Sequence, residues 1–583
     1  MMAPCYLGID VGTQGLTALL VESSETSATN GGDRKTSLKV LAMGEGSYDF
    51  VPGLPDGCYE QDPSAWETAL VQALKQIQES DDINESEISI ASLCVTGQMH
   101  GCVMIDAEGR NLGTARLWCD ARNQEEADEL SELFGERMPK RLTAARYLWS
   151  MKHEPKKAQA CHAITTPAGY IAHRLTTRVS GSPSLPPLLL GAGEASGMFP
   201  IHTIDGGCCE YQADWIEAFD NHVRNTIYEP ETKFSLEKLL PKIRTAGDTR
   251  NHCDNTENSV VLNPSILEPG GWLSDVRELL TSDGEISVAP AEGDQPTALA
   301  ASLIGEPGMI SCSFGTSVVA NMVGRSSGNN GGKNKISLAA VDRFNAVNGQ
   351  PISMVWLRNG TTYLNRMVES YGGDFELLLK QAVDAPPDCG GLLALPFLDD
   401  EPGLGVKRGG TAMIVGFNNS ASDNGNDGNH RAGNVIKAAM ISVMFNLLLG
   451  TQQVEEQAEA DENNDGSSTR KEIVLTGGLT KTPQTGQILA NIFDRPVRLM
   501  EAADEGGAWG AALLAKYYDD CGASTVVPPS SDSWLTFLNT IEAKEQQTFH
   551  PETEHVAIYR KMLRKYKRLL LLQPQLNEVM NEP

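Results

Sequence analysis

Residues 6–22 read YLGIDVGTQGLTALLVE and carry the clearest structural signal in the chain. Two apolar segments, Tyr6 to Asp10 and Leu16 to Glu22, flank a glycine-rich turn at residues 12–15, so the sequence predicts an opening β-hairpin. Such a turn can present backbone N–H groups to phosphate oxygens, and Asp10 at the end of the first strand can hold Mg²⁺ through water. Most turns of this kind are plain hairpin turns, so a phosphate-binding interpretation requires further motifs.

Two further glycine turns follow predicted strands in the second half of the chain. Gly-Thr-Ser at residues 315–317 comes after Met309 to Phe314, and Gly-Gly at residues 477–478 comes after Glu472 to Leu475. Three such turns at strand ends suit a nucleotide bound between two lobes, with two turns contacting phosphates and one the nucleoside. Neither the P-loop spacing nor the dinucleotide-binding spacing of glycines is present in the sequence.

Helices alternate with the predicted strands. Asp62 and Pro63 provide an N-cap and a first-turn proline for one helix, and a helix of small residues is predicted at Thr297 to Ile304. Further helices are predicted at Asn434 to Leu449 and at Thr485 to Phe493. Strands mixed with helices indicate the α/β class.

The length of the chain indicates two lobes. A chain of 583 residues is too long for one core. The strand-and-turn pattern restarts between Ile286 and Thr316, where we place a hinge. We therefore predict an N-terminal lobe at residues 1–292 and a C-terminal lobe at residues 293–583, the second ending with a helix at about residues 551–573.

The composition indicates a globular, acidic protein. Hydrophobic residues make up 40% of the chain, charged residues make up 21%, and the formal net charge is −29 at pH 7. Such a chain repels a polyanion or an anionic membrane surface, so neither nucleic acid nor membrane is expected as a partner. A nucleotide can still bind where backbone amides, a metal ion or a few cations converge.

The cysteines and the apolar segments bear on the cellular compartment. The twelve cysteines include no C-x-x-C pair and no zinc-type spacing with His, so reduced thiols are expected. No basic leader precedes Tyr6, and the most apolar helix candidate, Ala438 to Leu449, is shorter than the ~20 residues that cross a bilayer. We therefore expect a cytoplasmic protein without a membrane span.

Five polar stretches are predicted to be surface loops without a catalytic role. Each is rich in Gly, Asn, Ser, Asp or Glu and poor in apolar residues, a composition typical of segments that connect elements at the surface. They are Glu22 to Lys35, Asp248 to Asn258, Ser326 to Asn334, Asn418 to His430 and Glu455 to Ser468.

Asp294 is the strongest candidate for a catalytic acid or base. It follows a glycine at a predicted strand-to-helix junction, where an acid serves either as the N-cap of the helix or as a general base. Transfer of a phosphoryl group to a hydroxyl requires a carboxylate that accepts the proton. Because Asp294 lies at the predicted hinge, we favour the general base.

Two further segments supply polar candidates. TGQMHG at residues 96–101 interrupts two predicted strands, and its simplest interpretation is a tight turn with a structural His. Asp120 and Arg122 lie two residues apart, and alone they would form a surface ion pair of little energetic value. Neither segment identifies a function by itself.

Together these motifs resemble the FGGY family of carbohydrate kinases, and within it the xylulokinases. The resemblance spans nearly the whole chain, and the tail around Tyr559 and Tyr566 resembles the closing helix of these kinases. It is carried, in order, by residues 8–14 (GIDVGTQ), 60–63 (EQDP), 97–101 (GQMHG), 118–122 (WCDAR), 293–295 (GDQ), 315–317 (GTS), 477–478 (GG) and 506–512 (GGAWGAA).

The resemblance implies two ribonuclease-H-like, actin-like lobes, with ATP and Mg²⁺ in the cleft between them and a ketose held mainly by the first lobe. It implies Asp294 as the catalytic base and Asp10 as the acid near Mg²⁺, acting through water. The implied sugar contacts are Gln98, Met99, His100, Trp118, Asp120, Arg122, Asp294 and Gln295. The implied ATP contacts are Gly12, Thr13, Gln14, Gly315, Thr316, Ser317, Gly477, Gly478 and Asn491.

The reaction implied by the resemblance is ATP-dependent phosphorylation of D-xylulose to D-xylulose 5-phosphate. Sedoheptulose and ribulose are the alternative sugars within the same family. The alternative from another class is a catalytically silent actin-like module that binds nucleotide or sugar, and the presence of both Asp10 and Asp294 argues against it. The expected partner is the small-molecule ketose, and a homodimer is a further possibility.

The chain departs from the family pattern at several positions. Ala291-Glu292-Gly293 stands where xylulokinases usually show a run of glycines, and Gln295 stands where Asn is frequent. The segment at residues 194–198, EASGM, replaces Asp-Ala-Ala/Ser-Gly-Thr, and Asn491 replaces an Asp. Gln donates and accepts hydrogen bonds as Asn does but reaches further, so the choice of ketose depends on this position.

Overall fold

The computed structural model describes most of the chain as two α/β halves, each built on one large β-sheet. The described residues are 3–26, 35–81, 83, 88–178, 186–203, 208–228, 233–245, 260–280, 284–315, 317–324, 341–418, 430–461, 471–500, 506–523, 531–542 and 545–580. The α/β class predicted from the sequence is confirmed.

The first half is built on an eight-stranded sheet. Its elements are, in chain order, β1 (Cys5–Val11), β2 (Gly15–Thr26), β3 (Lys35–Ser47), β4 (Glu60–Gln61), α1 (Pro63–Gln78), β5 (Ile90–Gly97), β6 (Val103–Ile105), β7 (Ala115–Arg116), α2 (Gln124–Phe134), α3 (Thr143–His153), α4 (Pro155–Ala160), β8 (Ala163–Thr165), α5 (Pro167–Leu175), β9 (Thr176–Arg178), β10 (Leu189–Gly191), α6 (Ala192–Met198), β11 (Ile201–Thr203), β12 (Cys209–Tyr211), α7 (Ala213–Thr226), β13 (Lys242–Arg244), β14 (Val260–Leu262), α8 (Arg277–Leu280), β15 (Ser287–Val288), β16 (Glu292–Gly293) and α9 (Asp294–Ala301). The sheet order is β3-β2-β1-β5-β15-β14-β9, and β16 also pairs with β5.

The second half is built on a seven-stranded sheet. Its elements are β17 (Ile310–Phe314), β18 (Val318–Val323), β19 (Val341–Asn345), β20 (Pro351–Leu357), α10 (Thr361–Ser370), α11 (Phe375–Asp384), β21 (Leu393–Leu395), β22 (Met413–Val415), α12 (Ala432–Asp461), β23 (Ile473–Gly477), α13 (Thr485–Phe493), β24 (Val497–Met500), α14 (Gly506–Ala523), α15 (Ser531–Thr540), β25 (Glu545–Phe549), α16 (Thr553–Leu570) and α17 (Gln573–Met580). The sheet order is β19-β20-β18-β17-β23-β24-β25.

The two sheets share a central arrangement. β1 and β2 form an antiparallel hairpin, and β5 lies parallel to β1. In the second sheet β17 and β18 form the corresponding hairpin, and β23 lies parallel to β17. In the first half, the glycine turn after β1 and the polar segment after β5 therefore lie at the carboxyl ends of two parallel strands. In the second half, two glycine turns lie at the carboxyl ends of β17 and β23. Such strand ends are where ligands bind in α/β sheets.

Local sequence signals explain the first elements. Asp10 pairs with Thr17 across the predicted hairpin and with Thr96 on β5, which confirms the hairpin and places Asp10 near the end of a central strand. The Asp62 side chain accepts a hydrogen bond from the Ser64 N–H and caps α1, as predicted from the Asp-Pro pair.

Helix α14 of the second half packs on the first sheet. Tyr6, Leu19, Ala508 and Leu513 share one buried cluster. Gly8 on β1 permits this close approach, because a Cβ at Gly8 would lie 1.9 Å from the Ala508 carbonyl oxygen. The contact places the first turn of α14 near the end of β1, where Asp10 lies.

The long helix α12 corrects one prediction. The sequence predicted a helix at Asn434 to Leu449, and its apolar part, Ala438 to Leu449, was expected to be too short to cross a membrane. The observed helix is longer and runs over Ala432–Asp461. Its portion Ala432–Glu456 is long and apolar enough to cross a bilayer by length and composition. However, 94% of the most apolar window is buried inside the protein, so α12 is a core helix of the second half.

Two of the predicted loops are shorter than expected. β2 continues to Thr26 and β3 begins at Lys35, so the stretch Glu22 to Lys35 is partly a strand pair, and α12 continues to Asp461 within Glu455 to Ser468. The stretches Asp248 to Asn258 and Ser326 to Asn334 lie outside the described residues. Of Asn418 to His430, only the two end residues are described.

Candidate active site

Asp10 lies where the end of β1 meets helix α14 of the second half. It is partly exposed, and its Oδ1 atom has no hydrogen-bond partner among the described residues. Burial raises the pKa of this carboxyl to about 6. Gly507 of α14 lies directly against it, because a Cβ there would be 1.9 Å from Asp10 Oδ2. An unsatisfied carboxylate oxygen in this position fits Mg²⁺ held through a water molecule, as predicted from the sequence.

The glycine turn after β1 is held by side chains from other elements. The Tyr48 hydroxyl lies 2.6 Å from the Gly12 carbonyl oxygen and 2.9 Å from that of Gly15. Gln61 donates to the Thr13 carbonyl at 2.7 Å, and the Gly12 N–H donates to the Gly15 carbonyl at 2.9 Å. The N–H groups of residues 13 and 14 have no partner within the described part of the chain. Backbone N–H groups without a partner can donate to phosphate oxygens.

Asp294 is the first residue of α9, not its N-cap. Gly293 takes the cap position, and Asp294 Oδ1 accepts from the Gln295 N–H at 2.7 Å. Burial raises the pKa of Asp294 to about 7, and the charge of Asp10 adds to the increase. The alternative interpretation of Asp294 as a capping residue was therefore wrong. Its carboxyl instead lies close enough to Asp10 for the two charges to interact.

His100 lies at the polar corner after β5 with a positive φ of 65°. Its Nδ1 atom is 2.9 Å from the Gly197 carbonyl oxygen, and Arg141 donates from Nε to His100 Nε2 at 3.1 Å. Burial and the charge of Arg141 lower the pKa of His100 well below its usual value. The ring is therefore neutral, with its proton on Nδ1. Met99, the neighbouring predicted contact, is buried with its side chain against Gly293.

Gln98 is a buried residue of the first half that hydrogen-bonds to the glycine turn after β1. It is only 1% exposed, and its Nε2 donates to the Gly12 carbonyl at 3.1 Å and to Gln61 Oε1 at 2.9 Å. Its own N–H donates to the Val11 carbonyl at 2.9 Å. These bonds place Gln98 behind the glycine turn rather than on its open side.

Trp118, Asp120 and Arg122 lie beside the same turn. Trp118 is 45% exposed, and its Nε1 donates to the Thr13 hydroxyl at 3.1 Å. Arg122 pairs with Asp120 and with Glu60, both at 2.6 Å. Burial raises the pKa of Asp120, but the hydrogen bonds from Arg122 and from the Tyr59 N–H, together with the Arg122 charge, outweigh it and lower the pKa below its usual value. Asp120 and Arg122 are thus already paired with each other.

Contacts between the two halves converge near the predicted sugar contacts. Arg141, which donates a hydrogen bond to His100, also forms an ion pair with Asp342 on β19 at 2.7 Å. Gln295 Oε1 accepts from Asn321 Nδ2 on β18 at 3.5 Å, so the longer side chain at this position reaches the second sheet. Arg141 and Asn321 carry no recognisable local motif, and sequence reasoning missed both.

The remaining glycine turns meet at one edge of the second sheet. Phe314 pairs with Gly477 in register, so the turn at Gly315 and the turn at residues 477–478 are neighbours. Gly477 has a φ of 82°, and a Cβ there would lie 2.7 Å from the Phe314 carbonyl oxygen. The Gly315 N–H donates to the Ser317 carbonyl at 3.0 Å, and Thr316 lies outside the described residues.

The hydrogen bonds of the Asn491 side chain join it to the start of α16 rather than to these glycine turns. Its Oδ1 accepts from the Glu552 N–H at 2.7 Å, and its Nδ2 lies 3.3 Å from Glu552 Oε2 at the start of α16. The side chain therefore joins α13 to α16. Among the described residues, no group of three His, Cys, Asp or Glu side chains is arranged to hold a metal ion.

Comparison with known proteins gives the family and the fold. The FGGY carbohydrate-kinase N-terminal domain matches residues 5–182, and the C-terminal domain of the same family matches residues 310–518. A protein named xylulose kinase from Haemophilus influenzae is 24% identical over 529 residues, which cover 88% of this chain and 90% of that protein.

Solved structures agree with the two-lobed architecture. A ligand-bound xylulose kinase from Lactobacillus acidophilus matches with a TM-score of 0.68 at 16% identity, covering 97% of both chains. A gluconate kinase from the same organism matches with a TM-score of 0.67 at 18% identity, covering 98% of both chains. At this identity the likenesses show the fold alone, and they confirm the predicted actin-like lobes. Because the two domain matches together cover more than half of the residues, the chain belongs to the FGGY family of carbohydrate kinases, which transfer a phosphoryl group from ATP to a sugar.

Proposed function

We propose that this kinase phosphorylates a ketose, and that D-xylulose is the preferred substrate, giving D-xylulose 5-phosphate. The observation that carries the proposal is Asp294, a partly exposed carboxyl that interacts with the charge of Asp10 and has its pKa raised to about 7. A base with a pKa near 7 can take the proton of a sugar hydroxyl at neutral pH. The name of the Haemophilus influenzae relative supports xylulose over the alternative sugars.

The roles that we propose combine the family pattern with the contacts of the described residues. Asp294 removes the proton from the attacking hydroxyl, and Asp10 orients Mg²⁺ through water. The ion would neutralise negative charge on the phosphates of ATP. We assign the sugar to Met99, His100 and Gln295, with Gln98, Trp118, Asp120 and Arg122 supporting it. We assign the phosphates to Gly12, Thr13, Gln14, Gly315, Thr316 and Ser317, and the adenosine to Gly477 and Gly478. The predicted contact Asn491 is left out of this assignment, because its side chain is hydrogen-bonded to Glu552 at the start of α16.

We further infer that residues 1–292 and 293–583 act as two lobes that close on the substrates. The ion pair of Arg141 with Asp342 and the 3.0 Å hydrogen bond from the Asn345 N–H to Ser196 Oγ support this inference, because both join the halves beside the sugar contacts. Closure would exclude water, so that ATP is not simply hydrolysed. A cytoplasmic location and a small-molecule ketose as partner complete the proposal.

The direct test is ADP formation with Mg²⁺ on a panel of D-xylulose, sedoheptulose, D-ribulose, L-ribulose, L-xylulose and glycerol, beside a reaction without sugar. We expect the largest kcat/KM for D-xylulose and little ADP in its absence. A larger value for sedoheptulose or a ribulose would assign the kinase to that sugar. No stimulation by any sugar, with ATP still bound, would favour the catalytically silent module.

The pH dependence of the same assay tests the base. Because Asp294 must be ionised to accept a proton and its pKa is about 7, we expect kcat/KM to rise with pH and to reach half its maximum near pH 7. Below that midpoint the value should fall about tenfold per pH unit. A profile that is flat from pH 5.5 to 8 would exclude Asp294 as the base.

A further inference from the structure

Helix α6 begins without a capping side chain of its own. Its N-cap is Gly191, which has no side chain to accept from the first N–H groups of the helix. Glu292 supplies the acceptor from a distant part of the sequence. Its Oε1 accepts from the Glu194 N–H, and its Oε2 lies 3.4 Å from the Gly193 nitrogen. A carboxylate here also faces the positive end of the helix dipole.

Two glycines make room for this carboxylate. A Cβ at Gly191 would lie 2.1 Å from Glu292 Oε2, and a Cβ at Gly193 would lie 2.7 Å from Glu292 Oε1. Larger residues at either position would displace the carboxylate. Glu292 itself is 2% exposed, so its hydrogen bonds are shielded from water.

The same carboxylate reaches the backbone that carries the base. Glu292 Oε1 accepts from the Gly293 N–H at 2.9 Å, directly before Asp294. At the other end of α6, the Gly197 carbonyl accepts from His100 Nδ1 at 2.9 Å. Glu292 and α6 therefore form a continuous connection between Asp294 and His100.

The carboxyl groups around Glu292 disfavour one another's ionised forms, since the charges of Glu292 and Asp294 both act on Glu194. Burial keeps the neighbouring Cys94 and Cys209 thiols and the Tyr211 hydroxyl neutral, because it raises the pKa of each. Burial raises the pKa of Glu194 well above its usual value, the Thr166 hydroxyl offsets part of the shift, and the charges of Glu292 and Asp294 add to it. Burial raises the pKa of Glu292 to about 7 against three backbone N–H donors. Glu292 is thus the better-stabilised anion of the two glutamates.

We propose that Glu292 is a positioning residue for phosphoryl transfer, whose carboxylate joins α6 to the segment before Asp294 and fixes the base relative to His100. The inference rests on the proposed roles of Asp294 and His100. Glu292 is not itself the base, because its oxygens are already bound to backbone N–H groups. A small displacement of the base relative to the sugar lowers the rate steeply, so a connection of this kind affects turnover.

Glu292→Ala and Glu292→Gln test this role. We expect Glu292→Ala to lower kcat by about tenfold or more and to raise KM for the ketose, with KM for ATP within about twofold of wild type. Glu292→Gln keeps the shape, and its one oxygen can still accept from the Glu194 and Gly293 N–H groups, but its NH₂ group then faces the Gly193 N–H without an acceptor and the negative charge is lost. Its kcat should lie between those of Glu292→Ala and wild type, about threefold or more below wild type. The acid limb of kcat/KM should keep its wild-type midpoint in both variants, since Asp294 still sets it.

Asp374→Ala is the matched control. Asp374 caps α11 by accepting from the Leu377 N–H at 3.0 Å, away from the two carboxylates, so its loss costs stability without moving the base. Kinetic constants of the Glu292 variants that match those of Asp374→Ala would overturn the inference. If Glu292→Ala does not fold, wild-type kinetics in Glu292→Gln would overturn it. A wild-type enzyme that turns over no ketose would instead refute the proposed function, and the role of Glu292 with it.

Discussion

Asp294→Asn is expected to lower kcat by about 10²-fold or more, because the amide keeps the shape of the side chain but cannot accept the proton of the sugar hydroxyl. Asp294 Oδ1 accepts a hydrogen bond from the adjacent Gln295 N–H, which the amide oxygen can still accept. ATP binding should therefore change little. The measurement is steady-state ADP formation with the preferred ketose, beside an equilibrium measurement of ATP affinity.

Thermal unfolding separates loss of the base from loss of the fold. The pKa of Asp294 is about 7 in the folded protein against an ordinary value of 3.8, so folding disfavours its ionised form. The resulting cost to stability is complete above pH 7 and shrinks as the pH falls from 7 towards 3.8. We expect Asp294→Asn to unfold at a higher temperature than wild type at pH 8, with a smaller difference at pH 5.5. Near-normal turnover would remove Asp294 from the mechanism, and a lower unfolding temperature at pH 8 would indicate a damaged fold.

Local sequence signals predicted much of the first half and of the turns. The hairpin at residues 6–22 and the capped helix after Asp62 depend on neighbouring residues, and both were predicted near their observed bounds. Helix α13 was predicted at Thr485–Phe493, as observed. In each case the determining contacts lie within a few residues, where periodicity and capping can be read directly.

The sequence did not predict contacts between distant segments. Arg141 contacts His100 and Asp342, but nothing in its own neighbourhood distinguishes it from a surface Arg. Glu292 was recognised only as a departure from a family pattern, since its partner α6 lies about 100 residues away. Asn491 was assigned to the nucleotide from the family resemblance, where it replaces an Asp, although its amide is hydrogen-bonded to Glu552. Tertiary packing sets these contacts, and the length of α12 follows from burial in the same way.

The second large loss of activity is expected from a substitution of Gly507, one of two adjacent glycines at the start of α14. A Cβ at Gly507 would lie 1.9 Å from Asp10 Oδ2 and 2.5 Å from its Cγ, so Gly507→Ala forces the Asp10 carboxylate to rotate. The obstructing atoms belong to a side chain and not to the backbone, and the fold should therefore survive. We expect kcat to fall by at least about tenfold and the Mg²⁺ concentration for half-maximal activity to rise, because the displaced Asp10 carboxylate could no longer orient Mg²⁺ as we propose. Steady-state assays over a Mg²⁺ titration measure both effects.

Gly506→Ala is the control for this variant, because a Cβ at Gly506 meets no described atom within 4 Å. It makes the same chemical change one residue earlier in the same helix, so it reports the effect of alanine on α14 without the contact to Asp10. We expect its kcat and Mg²⁺ dependence to match wild type, and both variants to unfold within a few degrees of it. Equal activity in Gly507→Ala and Gly506→Ala would show that Asp10 does not need its present orientation, and would argue against Asp10 as the residue that orients Mg²⁺.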